Sequence, residues 1–303
     1  MENPPRLSIL LVNYNGIRWI NGCLDSVRRF APSDAEVILV DNASTDGSAE
    51  VVASAYPWVK LLRGPKNLGF AGGNNLAATL ATGEFLLLLN TDTVLRDALE
   101  PVVQWLATHQ TVGAVGINML NGDCHPRSCT GRFPTSSNLI LARAMLVAPE
   151  AYAARQASNV DWLQGSFLMV PTRLWRTLHG LDEGYFMYVE DVDLCQRIRQ
   201  AGYECVYLPW TSYIHYGGYN LERFPDIARG LVRFIDTHHS GLRRAWLRLA
   251  LLVGNLNRTL LYGMLALFSN EPKSRLLAKV CRIALLETWG LRNSLPTSTG
   301  GNA

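Results

Sequence analysis

The chain has 303 residues, of which 48% are hydrophobic and 17% are charged, so it can form a sizeable core and is not a disordered chain. Residues 1–238 carry 19 Lys and Arg against 23 Asp and Glu, a charge of −4, whereas residues 239–303 carry 9 against 2, a charge of +7. The first part is therefore a poor candidate for nucleic-acid binding, and the second part suits an anionic surface.

The N-terminus and the cysteines favour a cytoplasmic protein. The opening stretch, MENPPRLSILLVNYN, lacks a long apolar run preceded by basic residues, so we expect no signal peptide. The six cysteines are scattered without a CxxC pair, which favours reduced thiols. A zinc site at Cys124, His125 and Cys129 is a weaker alternative, because this spacing lacks a second ligand pair.

Short apolar strands alternate with helices from the N-terminus to residue 117. This alternation predicts an α/β fold, with a mostly parallel sheet and helices on both faces. The predicted strands are Leu7–Val12, Val37–Val40, Val59–Leu62, Phe85–Leu89 and Val112–Ile117. The predicted helices are Ile20–Phe30, Ser48–Tyr56, one that ends near Ala81, and one near Leu99–His109.

Residues 119–160 interrupt the alternation, and their Gly, Pro, Ser, Arg and Asn content predicts a long excursion from the core. Regular elements return after it. We predict strands at Gly165–Val170, Glu204–Leu208 and Tyr213–His215, and helices at Thr172–Leu178 and Glu190–Ala201.

Polar clusters follow three of the predicted strands. They are Asn13-Tyr14-Asn15, Asp41-Asn42-Ala43-Ser44 and Asn90-Thr91-Asp92. Ligands of open α/β sheets bind at the carboxyl ends of strands, so the three clusters predict one crevice. A carboxylate there can hold a divalent cation that is shared with a diphosphate. Turn and capping chemistry is the alternative for each cluster taken singly.

The Gly/Asn-rich stretch Asn67–Asn75 contains neither a Walker loop nor GxGxxG, which argues against kinase-like and dinucleotide-binding proteins. It either lets the backbone approach a sugar or a phosphate closely, or is only a flexible entry to a helix.

Glu190, Asp191 and Asp193 follow an aromatic run in Gly184–Asp193. Acidic residues in the first helical turn are favoured by the helix dipole alone. Aromatic rings beside carboxylates also suit sugar binding, and one carboxylate can deprotonate an attacking hydroxyl. The later His215 is either structural or, with Asp92, a second metal ligand.

Residues 242–268 predict a long amphipathic helix. Its polar stripe comprises Arg244, Arg248, Asn255, Arg258 and Tyr262, and leucines fill much of the remainder. Because Asn255 and Arg258 lie at its middle, we expect it to lie in the membrane interface rather than to span the bilayer. The alternative is a helix that covers the domain or pairs in a homo-oligomer. The predicted organisation is a domain at 1–238 and a basic helical tail at 239–303.

Seven segments in a fixed order resemble the family 2 inverting glycosyltransferases of GT-A fold, and the rhamnosyltransferase-like branch in particular. The resemblance covers about residues 7–218. The segments are ILLVNYN (Ile9–Asn15), VDNASTDGS (Val40–Ser48), NLGFAGGNN (Asn67–Asn75), NTDT (Asn90–Thr93), WLQG (Trp162–Gly165), LDEGYF (Leu181–Phe186) and EDVDL (Glu190–Leu194).

The resemblance implies a role for each matched residue. Asp191 is the general base, with Glu190 beside it, and Asp92 is the metal-binding end of a DxD-type motif, with His215 as a late metal ligand. Asn90 takes the first position of that motif and Thr91 the second, where Pro is common. Nucleotide binding is implied for Asn13, Tyr14, Asn15, Asp41, Asn42, Asn67, Gly72, Asn75, Asn90 and Thr91. Acceptor or sugar binding is implied for Trp162, Gly165 and Phe186.

The implied reaction is a single inverting displacement that requires Mg²⁺ or Mn²⁺. The expected donor is dTDP-L-rhamnose, with UDP-hexoses as the alternative. The expected acceptor is a glycan or a lipid-linked glycan of a cell-surface polysaccharide, at the inner face of the cell membrane. Two rival classes remain. A non-catalytic nucleotide-sugar-binding scaffold would show no turnover, and a nucleotidyltransferase would need a Gly-rich triphosphate loop, which the first strand lacks.

Overall fold

The computed structural model describes residues 6–141, 156–217, 221–268 and 271–289. The chain divides into two compact units. The α/β unit comprises Met1–Phe133 and Met145–Gly218, and the helical unit comprises Pro134–Ala144 and Tyr219–Ala303. Residues 219–238 thus fall in the helical unit, and the division after residue 238 stays a prediction.

The strands of the α/β unit alternate with helices as far as β4, which is followed directly by β5. The strands are β1 Leu7–Asn13, β2 Glu36–Asp41, β3 Val59–Arg63, β4 Phe85–Asn90, β5 Thr93–Leu95, β6 Val112–Leu120, β7 Pro126–Arg127, β8 Thr130–Gly131, β9 Ser158–Val160, β10 Trp162–Leu163, β11 Phe167–Pro171 and β12 Glu204–His215. Its helices are α1 Ile20–Phe30, α2 Ser48–Ala55, α3 Gly69–Ala78, α4 Glu100–Thr108, α6 Thr172–Thr177 and α7 Glu190–Gln200. Helix α5 belongs to the helical unit and is described with it.

The main sheet has the strand order β3-β2-β1-β4-β11-β6-β12-β5, with β7 beside β6 and β9 beside β12. Strands β1 to β4 are parallel, as are β6 and β12, whereas β11 runs antiparallel between β4 and β6. The apolar residues of β4 are buried, as expected for a strand with neighbours on both sides and helices over both faces. The predicted α/β fold with a mostly parallel sheet is confirmed.

Two details differ from the predicted elements. Glu204–Leu208 and Tyr213–His215 form the single strand β12, with an irregularity between Leu208 and Ser212. The predicted excursion contains the short elements β7, β8 and β9, while its residues 142–155 lie outside the described residues. The predicted loose end, residues 294–303, also lies outside them.

The helical unit contains helices packed on one another. They are α5 Ser136–Ile140, α8 Phe224–His238, α9 Gly241–Phe268 and α10 Pro272–Trp289, with a 3₁₀ turn at Leu221–Arg223. Helix α9 packs against α10, α5 and α8. A Cβ atom at Gly254 of α9 would overlap the Leu139 carbonyl oxygen, so this glycine lets α9 and α5 approach closely.

Candidate active site

The carboxyl ends of β1, β2 and β4 meet at one edge of the sheet. In the parallel register Asn13 is opposite Asp41, and Val12 is opposite Asn90. The three polar clusters that follow these strands therefore share that edge, which is the position expected for a ligand of an open α/β sheet.

Asn13 and Asp41 form the buried centre of this edge. Asn13 Nδ2 lies 2.8 Å from Asp41 Oδ1 and 2.8 Å from Ser48 Oγ. The backbone N–H of Ser44 donates to Asp41 Oδ2 at 3.0 Å. Asp41 is only 3% exposed, so these bonds fix its carboxylate rigidly at the end of β2. The nucleotide-binding role of Asp41 stays a prediction.

Neighbouring residues shape the loop after β1. Asn15 adopts a φ of 53°, its N–H donates to Ser44 Oγ at 2.9 Å, and its Oδ1 accepts from the Thr45 N–H at 2.8 Å. Tyr14 is exposed, whereas Asn42 is buried and donates to the Gly69 carbonyl at 3.0 Å. The loop after β1 is thus joined to the segments after β2 and before α3, and Tyr14 is free to meet a ligand.

The Gly/Asn-rich segment is the entry to α3. Asn67 Oδ1 accepts from the Gly69 N–H at 2.8 Å. Gly69 has a φ of 72°, and a Cβ there would overlap the Phe186 carbonyl oxygen, so glycine is required for this close approach. A Cβ at Gly72 would lie 3.0 Å from Leu68 Cβ. The segment therefore packs tightly against the loop that precedes α7.

Asn75 is held by that same loop. Its Nδ2 donates to the Leu181 carbonyl at 2.8 Å and to Glu183 Oε1 at 3.0 Å, and its Oδ1 accepts from the Leu181 N–H at 2.9 Å. The amide of Asn75 thus supports the 181–186 loop, and the nucleotide-binding roles of Asn67, Gly72 and Asn75 stay predictions.

Asp92 and His215 are paired by the antiparallel register of β5 and β12. His215 is opposite Thr93, and the Tyr216 N–H donates to the Asp92 carbonyl at 3.0 Å. These bonds place His215 Nε2 3.2 Å from Asp92 Oδ1. Burial raises the pKa of the Asp92 carboxyl, but the hydrogen bond and charge of His215 outweigh it and hold that pKa below its usual value. Asp92 is therefore a carboxylate at neutral pH.

The pair fits a hard divalent cation that completes its coordination with a ligand. Within the described ranges no three His, Cys, Asp or Glu side chains are grouped to hold a metal, so neither this pair nor Cys124-His125-Cys129 forms a closed all-protein site. Mg²⁺ is commonly held by one or two carboxylates plus substrate phosphates, which needs few protein ligands. Gly217 leaves the space open, because a Cβ there would overlap Asp92 Oδ2.

Asn90 and Thr91 lie between the Asp92–His215 pair and the Asn13–Asp41 edge of the sheet. The Asn90 carbonyl accepts from Thr93 Oγ1 at 2.6 Å, which fixes the turn between β4 and β5. A Cβ at Gly16 would lie 3.4 Å from Thr91 Oγ1 and would overlap Asn13 Oδ1. The loops after β1 and β4 are thus in contact at Gly16.

Two carboxyl groups with perturbed pKa values open helix α7. Tyr188 and Val189, just before the helix, adopt φ values of 72° and 76°, a strained conformation for a β-branched residue such as Val189. This turn places Glu190 and Asp191 in buried positions. Burial and the neighbouring Asp191 raise the pKa of Glu190 well above its usual value, and burial also raises the pKa of Asp191.

The two groups differ in their hydrogen bonds. Asp191 Oδ2 accepts from the Gly165 N–H at 2.9 Å, and Oδ1 from the Val192 N–H at 2.8 Å. Glu190 Oε2 is buried without a hydrogen-bond partner among the residues described. Donors stabilise the charged form, so Asp191 is the carboxylate of the pair and Glu190 retains the proton. This arrangement suits Asp191 as a base. Asp193 instead pairs with Arg197 at 2.8 Å.

Of the three predicted acceptor-side residues, Gly165 lies against Asp191. Gly165 contacts it directly through its N–H, and a Cβ at Gly165 would lie 3.1 Å from the Phe70 ring. Trp162 is only 6% exposed, and its Nε1 donates to the Arg132 carbonyl at 3.1 Å. The Phe186 carbonyl accepts from the Phe70 N–H at 2.9 Å. The acceptor-binding roles of Trp162, Gly165 and Phe186 stay predictions.

Sequence reasoning missed two features beside the metal pair. Arg127 Nη1 donates to the Gly217 carbonyl at 2.7 Å. Trp19 stacks on Tyr216 with ring centres 4.8 Å apart. Both pairs join residues distant in the chain, and no local motif signals them. A basic residue in the excursion was the only available hint for Arg127.

Comparison with known proteins indicates the family. The family model for Glycosyl transferase family 2 matches residues 8–133. An N-acetylglucosaminyl-diphospho-decaprenol L-rhamnosyltransferase of Mycobacterium tuberculosis is 28% identical over 269 residues, covering 80% of this chain and 88% of that protein. These two matches support a family 2 glycosyltransferase.

A second relative indicates the type of this glycosyltransferase within the family. The rhamnosyltransferase WbbL of Escherichia coli is 28% identical over 171 residues, which is 52% of this chain and 64% of WbbL. With the mycobacterial relative, it supports the rhamnosyltransferase-like type within the family.

Solved structures establish the fold of this glycosyltransferase. A mannosyltransferase from Pyrobaculum calidifontis in complex with GDP-Man and Mn²⁺ has a TM-score of 0.60 at 20% identity, covering 95% of this chain and 87% of that one. S. aureus TarS 1–349 in complex with UDP has a TM-score of 0.56 at 19% identity, covering 84% and 71%. The predicted GT-A fold is confirmed.

Proposed function

We propose that this glycosyltransferase transfers L-rhamnose from dTDP-L-rhamnose to a hydroxyl of a lipid-linked glycan acceptor in cell-wall polysaccharide synthesis. The names of the mycobacterial and E. coli relatives support the sugar, and the former also names a polyprenyl-diphosphate acceptor. The fold leaves the nucleotide open, because its solved relatives are in complex with GDP-Man or UDP. A UDP-hexose is therefore the alternative donor.

The observation that carries the proposal is the environment of Asp191. Two backbone N–H groups orient its carboxylate, and burial raises its pKa above that of an ordinary aspartate. A base is most effective when its pKa lies nearer the working pH, and positioned proton transfer contributes about 10²–10⁴ in rate. Asp191 is thus suited to accept the proton of an attacking hydroxyl.

The donor would lie along the carboxyl edge of the sheet. Asn13, Asp41 and the loop after β1 would hold the nucleoside, and Asp92 with His215 would hold Mg²⁺ or Mn²⁺ at the diphosphate. When bound, such a cation neutralises the charge that develops on the leaving diphosphate. The carboxylate of Asp92, kept ionised by His215, supplies the negative charge that attracts it.

The reaction is a single displacement at the anomeric carbon. The acceptor oxygen forms a bond to this carbon while the bond to the diphosphate oxygen breaks on the opposite face, so the configuration inverts. Asp191 accepts the proton of the acceptor hydroxyl, and the electron pair of the broken bond leaves with the nucleoside diphosphate.

A thermal-shift panel followed by product analysis tests the proposal. The panel contains UDP, dTDP and GDP, each with and without Mn²⁺, and a ligand at about 100 times its Kd adds about 2.7 kcal/mol of stability. We expect a metal-dependent shift with dTDP and release of dTDP from dTDP-L-rhamnose. A shift with UDP alone would indicate that the donor is a UDP-hexose. Binding without turnover would support a scaffold, and release of pyrophosphate would support a nucleotidyltransferase.

A further inference from the structure

Three residues of the polar stripe of helix α9 face other helices of its own unit. Asn255 Nδ2 donates to Thr288 Oγ1 of α10 at 2.7 Å. Arg248 donates to the Thr288 carbonyl at 3.2 Å and pairs with Asp236 of α8 at 3.3 Å. The guanidinium carbon of Arg258 lies 4.7 Å from the centre of the Phe224 ring. The polar residues that would have formed a water-facing side therefore hold the helical unit together.

The opposite side of α9 is apolar and exposed. Its residues recur at intervals of three, four or seven, so they lie along one line of the helix for about 38 Å. We call this line the leucine face. It comprises Leu242, Trp246, Leu249, Leu256, Leu260, Met264 and Leu267, whose side chains are between 42% and 90% exposed. An apolar strip of this length on the surface marks an interaction site rather than scattered exposure.

The charges around the leucine face indicate its partner. No Asp or Glu occurs between Asp236 and Glu271, whereas four arginines lie in that interval. Arg243 and Arg244 are exposed in the first turn of α9, with Arg243 on the flank of the leucine face, and Lys273 is exposed beyond the other end of the helix. Basic residues at both ends of an exposed apolar strip are complementary to a bilayer that contains anionic lipids.

A second copy of the chain fits this face less well. Helices that pair in water usually carry acidic and basic residues at the positions flanking their apolar seam, which select the partner. The leucine face is flanked instead by uncharged residues such as Ala245, Leu252 and Asn257. No acidic residue of α9 is present to pair with an arginine of another copy.

We propose that the leucine face docks this glycosyltransferase on an anionic lipid bilayer, with α9 lying in the plane of the interface. By length and composition α9 is able to cross a membrane. Crossing would separate Asn255 and Arg248 from their partners on α10 and α8, and an unpaired charge at the bilayer centre costs at least about 2.5 kcal/mol. Lying in the plane keeps these bonds and buries only the leucine face.

Vesicle flotation with the full chain tests the proposal. The vesicles consist of phosphatidylcholine alone or of phosphatidylcholine with phosphatidylglycerol. We expect stronger binding to the anionic vesicles, declining as salt is added. The double variant Leu256→Asn/Leu260→Asn should bind at least about tenfold more weakly. Leu80→Asn, which alters an exposed leucine of the α/β unit, should bind like the unaltered protein.

A second variant separates charge from apolar insertion. Arg243→Ser/Arg244→Ser should weaken binding to anionic vesicles and leave binding to neutral vesicles unchanged. All three variants alter exposed side chains, so their melting temperatures should match that of the unaltered protein. The assay contains no sugar donor, and its outcome is independent of the transferred sugar.

Three results would overturn the proposal. The first is a lack of vesicle binding by the folded protein. The second is an equal loss in Leu80→Asn and in the double variant. The third is a dimer, measured by light scattering, that the leucine-face variants dissociate while vesicle binding is unaffected, since this would assign the face to a second copy.

Discussion

The backbone N–H of Gly165 lies 2.9 Å from Asp191 Oδ2, and this bond separates the roles of two adjacent acids. Asp191 receives a second donor from the Val192 N–H, whereas Glu190 Oε2 has no partner in the described part of the chain. Two carboxyl groups this close do not readily ionise together. The donors thus assign the negative charge to Asp191 and the proton to Glu190.

The first prediction concerns catalysis by this pair. Asp191→Asn should lower the transfer rate by about 10²–10⁴, because the amide cannot accept the acceptor proton. Glu190→Gln should retain most of the activity, since the neutral amide replaces a side chain that is already uncharged. Initial rates of nucleoside diphosphate release at saturating donor measure both effects.

The two variants serve as controls for one another, because they are adjacent and equally conservative in shape. Circular dichroism and melting curves establish that each is folded. Full activity in Asp191→Asn together with loss in Glu190→Gln would reverse the two assignments.

The second prediction concerns stability and pH. Burial raises the pKa of Glu190 in the folded state, so the stability it contributes is present below its unfolded pKa and is lost as pH rises toward the folded pKa. Glutamine does not titrate. Glu190→Gln should therefore gain stability relative to the unaltered protein by up to about 1.4 kcal/mol for each pH unit in that interval.

Chemical denaturation of both proteins at several pH values between 5 and 8 measures this difference. Asp191→Asn provides a comparison, because the backbone donors Gly165 and Val192 oppose the effect of burial on the pKa of the Asp191 carboxyl. A stability difference that stays constant over the whole range would mean that Glu190 is ionised in the folded protein.

The third prediction concerns the space beside the metal pair. Gly217→Ala places a Cβ that overlaps Asp92 Oδ2 and lies 2.8 Å from His215 Nε2, so one of these side chains must move. We expect the affinity for Mn²⁺ in the presence of nucleotide to fall at least about tenfold. Isothermal titration measures this affinity.

Gly22→Ala is the matched control for that experiment. Its Cβ would lie 3.6 Å from Val94 Cγ2, an ordinary contact, within helix α1. Its Mn²⁺ affinity should be unchanged. Equal Mn²⁺ affinities in the two variants would show that Gly217 does not contribute to metal binding.

Much of the fold was readable from the sequence because buried parallel strands are continuous apolar runs. Residues 85–89 form such a run, and β4 is buried as predicted. The placing of Asp41 and Asn90 at one edge followed from the same rule. Strand direction was not readable, and β11 runs antiparallel between β4 and β6. Its apolar residues are equally compatible with either direction.

The pairing of residues far apart in the chain could not be predicted from the sequence either. Pro209 and the polar residues Thr211 and Ser212 interrupt the apolar pattern of β12, so the sequence predicts two strands. The pairing of His215 with Thr93 that brings His215 to Asp92 depends on residues more than a hundred positions apart. Similarly, the polar stripe of α9 was visible, but its burial depends on Thr288 and Asp236 of other helices.

The last prediction concerns Arg127, whose Nη1 donates to the Gly217 carbonyl at 2.7 Å. This bond holds the backbone of Gly217 beside Asp92 and His215, so Arg127 positions the metal pair without touching it. Arg127→Met keeps much of the side-chain volume and removes the donor. Loss of such supporting bonds typically weakens metal binding about 10–100-fold. We expect Mn²⁺ affinity to fall toward the lower end of that range, because Asp92 and His215 are also fixed by the β5–β12 pairing. Binding of dTDP without metal should be unchanged, as should Mn²⁺ binding by Arg173→Met, which alters an exposed arginine of α6. A parallel loss of dTDP binding would show instead that Arg127 contacts the nucleotide.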